Sequence, residues 1–467
     1  MKIKLFVICI LFLLCAGCQT VQTILKPALT EEGEIFVYVQ PLPQEANGLR
    51  FNLEGIFAVR SDGVEVPLTL SLAEFKGSDA KRQRFVASGR LLPGVYRGLS
   101  FKAGKASLQG VERETELVVS DKLEPVDFSF EVRRKKAAVI MLSFKNRESV
   151  GKGTGFKPVF SISVPPRPLT TLTGYVTNYA ANTITVFDKR SGDVMGMIAT
   201  GNGPKSVVFD RSGSLAYAVI SGEDAIEVID LQSHNIINRI QMNTGDKPSE
   251  AALTPDGKTL LVVNGGSNTV SFIDPASNFE TTRINVGNRP LSLLIDSTGS
   301  RSYVFNYLSN SISVINIASR TISATLPTES APLRGTFNRK GDQLIIFHEW
   351  SPNLIAFDTA SLSVVKRIYA GIGVSFIKVD TSTDRLYVAK KHEKVIDIYD
   401  PFSAIPMGFV QASGWASYML IDDEDNNLLL VLPEQNALQS INLISKKGRF
   451  LMDSGNAPYW SSVIGER

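Results

Sequence analysis

Along most of the chain apolar residues come in short runs separated by turn residues, and no long segment of helical period interrupts them. In Val126-Asp127-Phe128-Ser129-Phe130-Glu131-Val132 every second residue is apolar, as a half-buried strand requires. Strand-like segments also stand at 34–39, 55–60, 84–88, 96–102, 116–119, 138–144 and 159–164. Pro93-Gly94 is a turn signal between two of them. This series predicts an antiparallel β-sandwich over 33–164. Pro165, Pro166 and Pro168 then remove backbone donors and stiffen the chain, which makes 165–173 a linker.

From residue 174 to 467 the pattern repeats. TITVFD ends at Asp188, AIEVID at Asp230, TVSFID at Asp274 and SISVIN at Asn316, followed by Asp358, Asp400 and Asn442. The spacings are 42, 44, 42, 42, 42 and 42. Each copy holds room for four short strands. In one copy these are 249–253, the turn Thr254-Pro255-Asp256-Gly257, then 259–264, 269–274 and 281–286. Seven copies of such a period predict a seven-bladed β-propeller. The first copy lacks its first strand. The last residues, Gly455-Asn456-Ala457-Pro458, match Gly201-Asn202-Gly203-Pro204 and supply it, so the C-terminal strand closes the ring and removes two exposed edges. The whole is all-β.

The first eighteen residues stand apart. Lys2 and Lys4 precede an unbroken apolar run, 5–14. It is shorter than the roughly 20 residues a bilayer span needs and has the length of a signal-peptide core. Cys9, Cys15 and Cys18 are the only cysteines, so no disulfide is available to either domain. With 49 basic and 46 acidic side chains the net charge is +3, which by itself predicts no polyanionic partner.

Three resemblances add to this reading. Cys15-Ala16-Gly17-Cys18 resembles a bacterial lipobox, with Cys15 where Leu is usual. It implies a signal peptide over 1–18, lipidation of Cys18, a tether over 19–32 and, through Gln19, the outer membrane of a Gram-negative envelope. Segments 92–101 and 156–164 resemble an uncharacterised sandwich family at the front of bacterial lipoproteins. Tyr175-Val176-Thr177-Asn178, Asn182-Thr183-Ile184-Thr185-Val186 and Ser267-Asn268-Thr269-Val270 resemble the YVTN family of bacterial β-propellers, which are WD40-like in repeat. That likeness implies a fold and leaves the function open.

Propellers generally bind ligands on the face where the second-to-third and fourth-to-first connections emerge. There the loops entering the first strands carry Lys205, Lys247, Arg289 and Arg334, within two residues of Pro204, Pro248, Pro290 and Pro332. The loops after the second strands add Lys390, Lys391 and His392, and His348, Glu349 and Trp350. Trp415 lies in the channel-side loop of the seventh copy. Together they predict a basic, partly aromatic rim for an anionic ligand or partner; a solvated loop face is the plainer reading. His348-Glu349 and His392-Glu393 lack a defined third ligand, so no metal is predicted. Asp422-Asp423-Glu424-Asp425 reads as a polar turn rather than a calcium loop. Arg133-Arg134-Lys135-Lys136 reads as a solvated hairpin turn.

No CxxCH stands in the mature chain, and no GxSxG or HExxH motif occurs, so neither a cofactor nor a catalytic residue is assigned. The leading expectation is a monomeric envelope lipoprotein, with the sandwich spacing the propeller from the membrane and the propeller offering a platform to an envelope protein or a small anionic ligand. A lactonase-like hydrolase of a small anionic substrate is the alternative. Binding of single-stranded nucleic acid is a second alternative, thinly supported by Trp350 and Trp415.

Overall fold

Ile35, Val37 and Val39 point to one side of the strand Gly33–Val39, Phe36 and Tyr38 to the other, and all are buried. A strand with no polar side must be covered on both faces. This requirement organises the N-terminal part of the molecule. The structure is a computed structural model that describes residues 25–77, 81–110, 114–151 and 155–464. The leader, Cys18 and the first part of the tether lie outside these residues.

Ile35, Val37 and Val39 share a core with Phe51, Leu53, Leu99, Phe101, Ile140 and Leu142. That core lies between two sheets. One has five strands in the order Phe160–Ser163, Ala137–Phe144, Gly33–Val39, Arg84–Leu91 and Thr69–Leu70. The other is built around two long strands, Leu49–Arg60 and Gly94–Gln109. The sheets are mixed, which corrects the antiparallel expectation: Gly33–Val39 runs parallel to Ala137–Phe144, and Gly155–Phe156 parallel to Glu114–Val119. Between the first pair the chain passes through the facing sheet, a crossover long enough to return in the same direction. Arg133 to Lys136 link Glu124–Val132 to Ala137–Phe144. This turn is not simply solvated. Lys136 Nζ donates to Asn235 Oδ1 at 2.7 Å, and Arg134 pairs with Glu31.

After the prolines, seven four-stranded antiparallel sheets follow among the described residues. We number them 1 to 7 along the chain. Sheets 2 to 7 each use four consecutive strands. Sheet 1 combines Thr173–Asn178, Thr183–Asp188 and Val194–Ala199 with Pro458–Val463 from the far end of the chain. Thr173–Asn178 and Pro458–Val463 pair antiparallel from Gly174↔Val463 to Asn178↔Pro458. The first strands are Pro204–Phe209, Pro248–Leu253, Pro290–Ile295, Pro332–Phe337, Val374–Asp380, Tyr418–Asp422 and Pro458–Val463. Each touches the next in this order, and the last touches the first. The arrangement is that of a β-propeller.

Phe36, Tyr38, Val139 and Met141 form the second face of the five-stranded sheet. They join one buried cluster with Phe187, Val194 and Met197 of sheet 1 and Met452 of sheet 7. Each such side chain removed from water contributes roughly 2 kcal/mol. Several polar groups at the contact are partnered, although the buried Tyr38 hydroxyl is not. Arg82 and Arg84 pair with Asp453 at 2.7 and 2.8 Å, and Val194 N donates to Gln83 Oε1 at 2.8 Å. The N-terminal body therefore packs across the seam between sheets 7 and 1.

A buried lysine holds the same seam on the opposite side of the ring from the mouth. Lys189 Nζ reaches Asp422 Oδ1 at 3.1 Å and Glu424 Oε2 at 2.7 Å, and Arg190 Nε lies 3.3 Å from Asp425. Burial works against the Lys189 charge, but the hydrogen bonds to Glu424 and Asp422 outweigh it and raise its pKa. Asp422→Ala leaves that ammonium with only the exposed Glu424. It should destabilise the protein by about 3 kcal/mol, as broken buried pairs do. Glu424→Ala removes a carboxylate that is 61% exposed and should cost less than about 1 kcal/mol. Urea midpoints of the two variants measure the contrast.

Candidate functional site

The loops on one face of the ring are held by a recurring side chain. Asn182, Asp224, Asn268, Asn310 and Asn436 end the turns between second and third strands, all with positive φ, which Asn and Asp tolerate. Each accepts a hydrogen bond from the loop entering the next first strand: from Gly203 N, Lys247 N, Arg289 N, Ala331 N and Ala457 N at 2.6–3.0 Å. These five donors immediately precede prolines and also have positive φ. Gly203 holds that conformation without steric cost. Lys247 and Arg289 hold it as non-glycine residues, and the Asp224 and Asn268 caps overcome the strain.

Beneath the loops the second strands of sheets 1, 3 and 4 end in Asn178, Asn264 and Asn306. Each donates through Nδ2 to hydroxyls five and seven residues on, such as Thr183 and Thr185. In sheet 6 Lys390 takes this place and pairs with Asp397 at 2.8 Å. In sheet 5 it is His348, which is buried with Nε2 bonded to Thr328 Oγ1 at 2.7 Å. Burial pushes the His348 pKa down to about 4 against the nearby Glu329 charge. His348 thus packs beneath the loops and does not line the rim.

The four cations near the prolines fall at three depths. Lys247 and Arg289 are exposed on the loops, and neither has an ion-pair partner among the described residues. The Arg289 guanidinium lies 5.1 Å from the Tyr307 ring centre. Lys205 sits deeper, with Nζ 5.9 Å from the centre of the Tyr459 ring. Burial lowers its pKa, and the Arg289 charge adds to this. Arg334 is deeper still. It pairs with Glu250 at 2.5 Å from a first strand two sheets away, and its guanidinium lies 4.7 Å from the Trp460 ring. Phe376 and Tyr418 flank it at 5.7 and 5.9 Å. Arg334 is therefore part of the channel floor and not of the rim.

A β-bulge explains this placement. Pairing of the first and second strands shifts register immediately after Pro204, Pro248, Pro290 and Pro332. A bulge re-aims the side chains that follow it. Strand alternation read from sequence could not locate Arg334 or reveal Glu250, Phe376, Tyr418 and Trp460. The signal that would have found them is a column of the repeat: the second residue after each proline, or its equivalent, reads Ser206, Glu250, Ser292, Arg334, Phe376, Tyr418 and Trp460.

Around the mouth, Tyr307 OH donates to Glu349 Oε2 at 2.7 Å, and Lys391 Nζ to Glu349 Oε1 at 3.2 Å. Burial alone would raise the Glu349 pKa, but these two hydrogen bonds and the surrounding cations lower it. Glu349 thus turns away from His348, and His392 is exposed, 3.9 Å from Glu434. Among the described residues no group of His, Cys, Asp and Glu is placed to hold a metal. Trp350 is 70% exposed. Trp415 lies 6.0 Å from the His392 ring, with its indole N–H unpartnered.

Two cavities lie away from the channel. One, of about 400 Å³, is a cleft between the N-terminal body and sheets 1 and 2. Its Glu34, Lys136 and His234 are already bonded to Lys26, Asn235 and Tyr175. The other, of about 770 Å³, is a polar depression around Arg50, Glu74 and Glu114. The mouth, by contrast, presents cations that lack carboxylate partners.

The fold and this channel define a β-propeller. Residues 174–382 match the family of YNCE-like β-propellers. Among solved structures the chain is similar to hydrazine synthase of Kuenenia stuttgartiensis, at 18% identity over 58% of this chain and 92% of that one, with TM-score 0.52. A functionally unknown protein from Desulfotomaculum acetoxidans aligns at 12% identity over 63% and 99%, TM-score 0.56. The dihydro-heme d1 dehydrogenase NirN in complex with DHE aligns at 13% over 65% and 78%, TM-score 0.51. At these identities the likeness is one of fold. No curated protein matches the chain.

Burial pushes the Glu250 pKa up to about 7, against the pull of Arg334 and the Leu293 N–H. A carboxyl whose folded pKa lies above its unfolded value holds more protons when folded. Stability therefore falls as pH rises from about 4.5 to 7, by up to about 3 kcal/mol for this group. Glu227 shifts the same way, so the difference between chains isolates Glu250. From about pH 5 to pH 8 the Tm of Glu250→Gln should fall less than that of the parent. Parallel curves would remove Glu250 from this role.

Proposed function

We propose that this protein is a cell-envelope lipoprotein, anchored through Cys18 to the outer membrane. In this reading an N-terminal β-sandwich stands beside a seven-bladed propeller, and the propeller mouth binds an anionic ligand. The observation that carries the proposal is that Lys205 and Arg289 stand on one face, each beside a tyrosine ring and neither neutralised by a carboxylate at ion-pair distance. Cations held on aromatic rings keep donors free for an incoming anion. The paired Arg334 and Glu250 lie below, deeper in the funnel that the mouth opens. Lys247 widens the positive field at its edge.

Pyrenetetrasulfonate, an aromatic polyanion, is a suitable probe. It should bind the parent protein in a salt-sensitive way, and Lys205→Met with Arg289→Met should weaken binding by about tenfold or more. Equal binding by the two chains would place the anion elsewhere. Anchoring is read separately: Cys18→Ser should move the protein from the membrane to the soluble fraction, and unchanged fractionation would rule out the anchor.

A further inference from the structure

The described chain begins on the mouth face. Lys26 N donates to Ala180 O at 3.1 Å, and Asn182 donates its amide to Lys26 O. Both partners lie in the turn between the second and third strands of sheet 1, on the face that carries Lys205 and Arg289. From there the segment stays bound. Arg90 donates to Pro27 O, and Arg134 to Thr30 O at 3.3 Å. Lys26 lies eight positions after Cys18, a reach of at most about 28 Å. A lipid on Cys18 would therefore hold the rim of the mouth close to a bilayer.

Two further features belong to the same face. Leu308, Trp350 and Ile372 are 60, 70 and 79% exposed, in the loops of sheets 4 and 5 and the entry to sheet 6. In the cyclic order these sheets stand across the ring from sheet 1. Leu308 and Trp350 fill the same place in successive repeats. An exposed tryptophan flanked by aliphatic side chains suits the boundary between water and hydrocarbon. Lys247 and Arg289 add positive charge without ion-pair partners.

The opposite face also has exposed apolar tips, Phe402 and Ile444, so exposure alone does not choose between the faces. The first described residues choose, since Lys26 is bonded on the mouth face. On the opposite face Asp230, Asp274, Asp358 and Asp400 close third strands. Hydrogen bonds from nearby serines hold their pKa values low, so they stay ionised against an anionic membrane.

We infer that the mouth face lies on an anionic lipid surface, with the lipid tether at the sheet 1 edge and Leu308, Trp350 and Ile372 seated in the interface at the other. This rests on the anchoring at Cys18 proposed above. It gives the funnel a ligand source, since the nearest anions are then lipid headgroups.

The test uses the full lipidated chain on phosphatidylcholine vesicles containing phosphatidylglycerol. Ile372→Cys and Phe402→Cys place one fluorophore each on the two faces, and a quencher is carried on the lipid. Severalfold stronger quenching at position 372 than at 402 is the expected result. Equal quenching, or stronger quenching at 402, overturns the orientation, and the face is then free for a protein partner. Flotation separates the two readings. If the parent floats with vesicles and Cys18→Ser does not, yet quenching is equal, the anchor stands and the orientation falls. If the parent fails to float, the anchor fails and the orientation with it.

Discussion

The pairing of Thr173–Asn178 with Pro458–Val463 is the contact on which the rest of the molecule depends. Without it sheet 1 would lack its inner strand, Thr173–Asn178 and Pro458–Val463 would each present an open edge, and the cycle of first strands would be broken. The seam is reinforced from two sides. Lys189 reaches from sheet 1 to Asp422 and Glu424 of sheet 7. On the outside, the N-terminal body touches Val194 and Met197 of sheet 1 and binds Asp453 of sheet 7 through Arg82 and Arg84. The first domain in sequence thus braces the joint made by the last strand.

A closed ring of near-identical sheets sets where side chains point but does not fix what they are. At the mouth, one position holds glycine before Pro204 and cations before Pro248 and Pro290. Three residues further on, one column supplies Glu250, Arg334 and three aromatic rings. Repetition provides the geometry, and departures from the repeat provide the chemistry. The Arg334–Glu250 pair is compensated by stacking on Trp460, Tyr418 and Phe376, which keeps the channel filled without leaving a lone buried charge.

The all-β character and the four-stranded repeat were legible because their signals are local. An alternating run and an Asp at a fixed interval survive without knowledge of any partner. What could not be read depends on partners far away in sequence. The unbroken apolar run 34–39 gives no hint that one side meets the facing sheet and the other meets Phe187 and Met197. The parallel pairing of Gly33–Val39 with Ala137–Phe144 joins residues a hundred positions apart. The strand Leu49–Arg60 starts earlier than the segment 55–60, because Leu49, Phe51 and Leu53 alternate with exposed Arg50, Asn52 and Glu54 and its bulged pairing with Gly94–Gln109 runs through them. From sequence Arg334 falls on the rim because a bulge leaves no mark in an alternation pattern.

The position of the chain's start changes the relation between the two bodies. Chain order places the N-terminal body between any anchor and the propeller, as a spacer in series. The contacts contradict a series arrangement. Lys26 is bonded to Ala180 and Asn182 of the propeller before the first strand at Gly33 begins, and its side chain reaches Glu34 within that strand. Residues 26–34 thus touch both bodies at once, and the seam contacts hold them side by side. Tension or confinement applied at residue 26 is then felt at the propeller mouth directly, through one backbone hydrogen bond and one from the Asn182 side chain, in a turn that also holds Gly203. The N-terminal body contributes by bracing the ring and by pinning this segment, not by adding length.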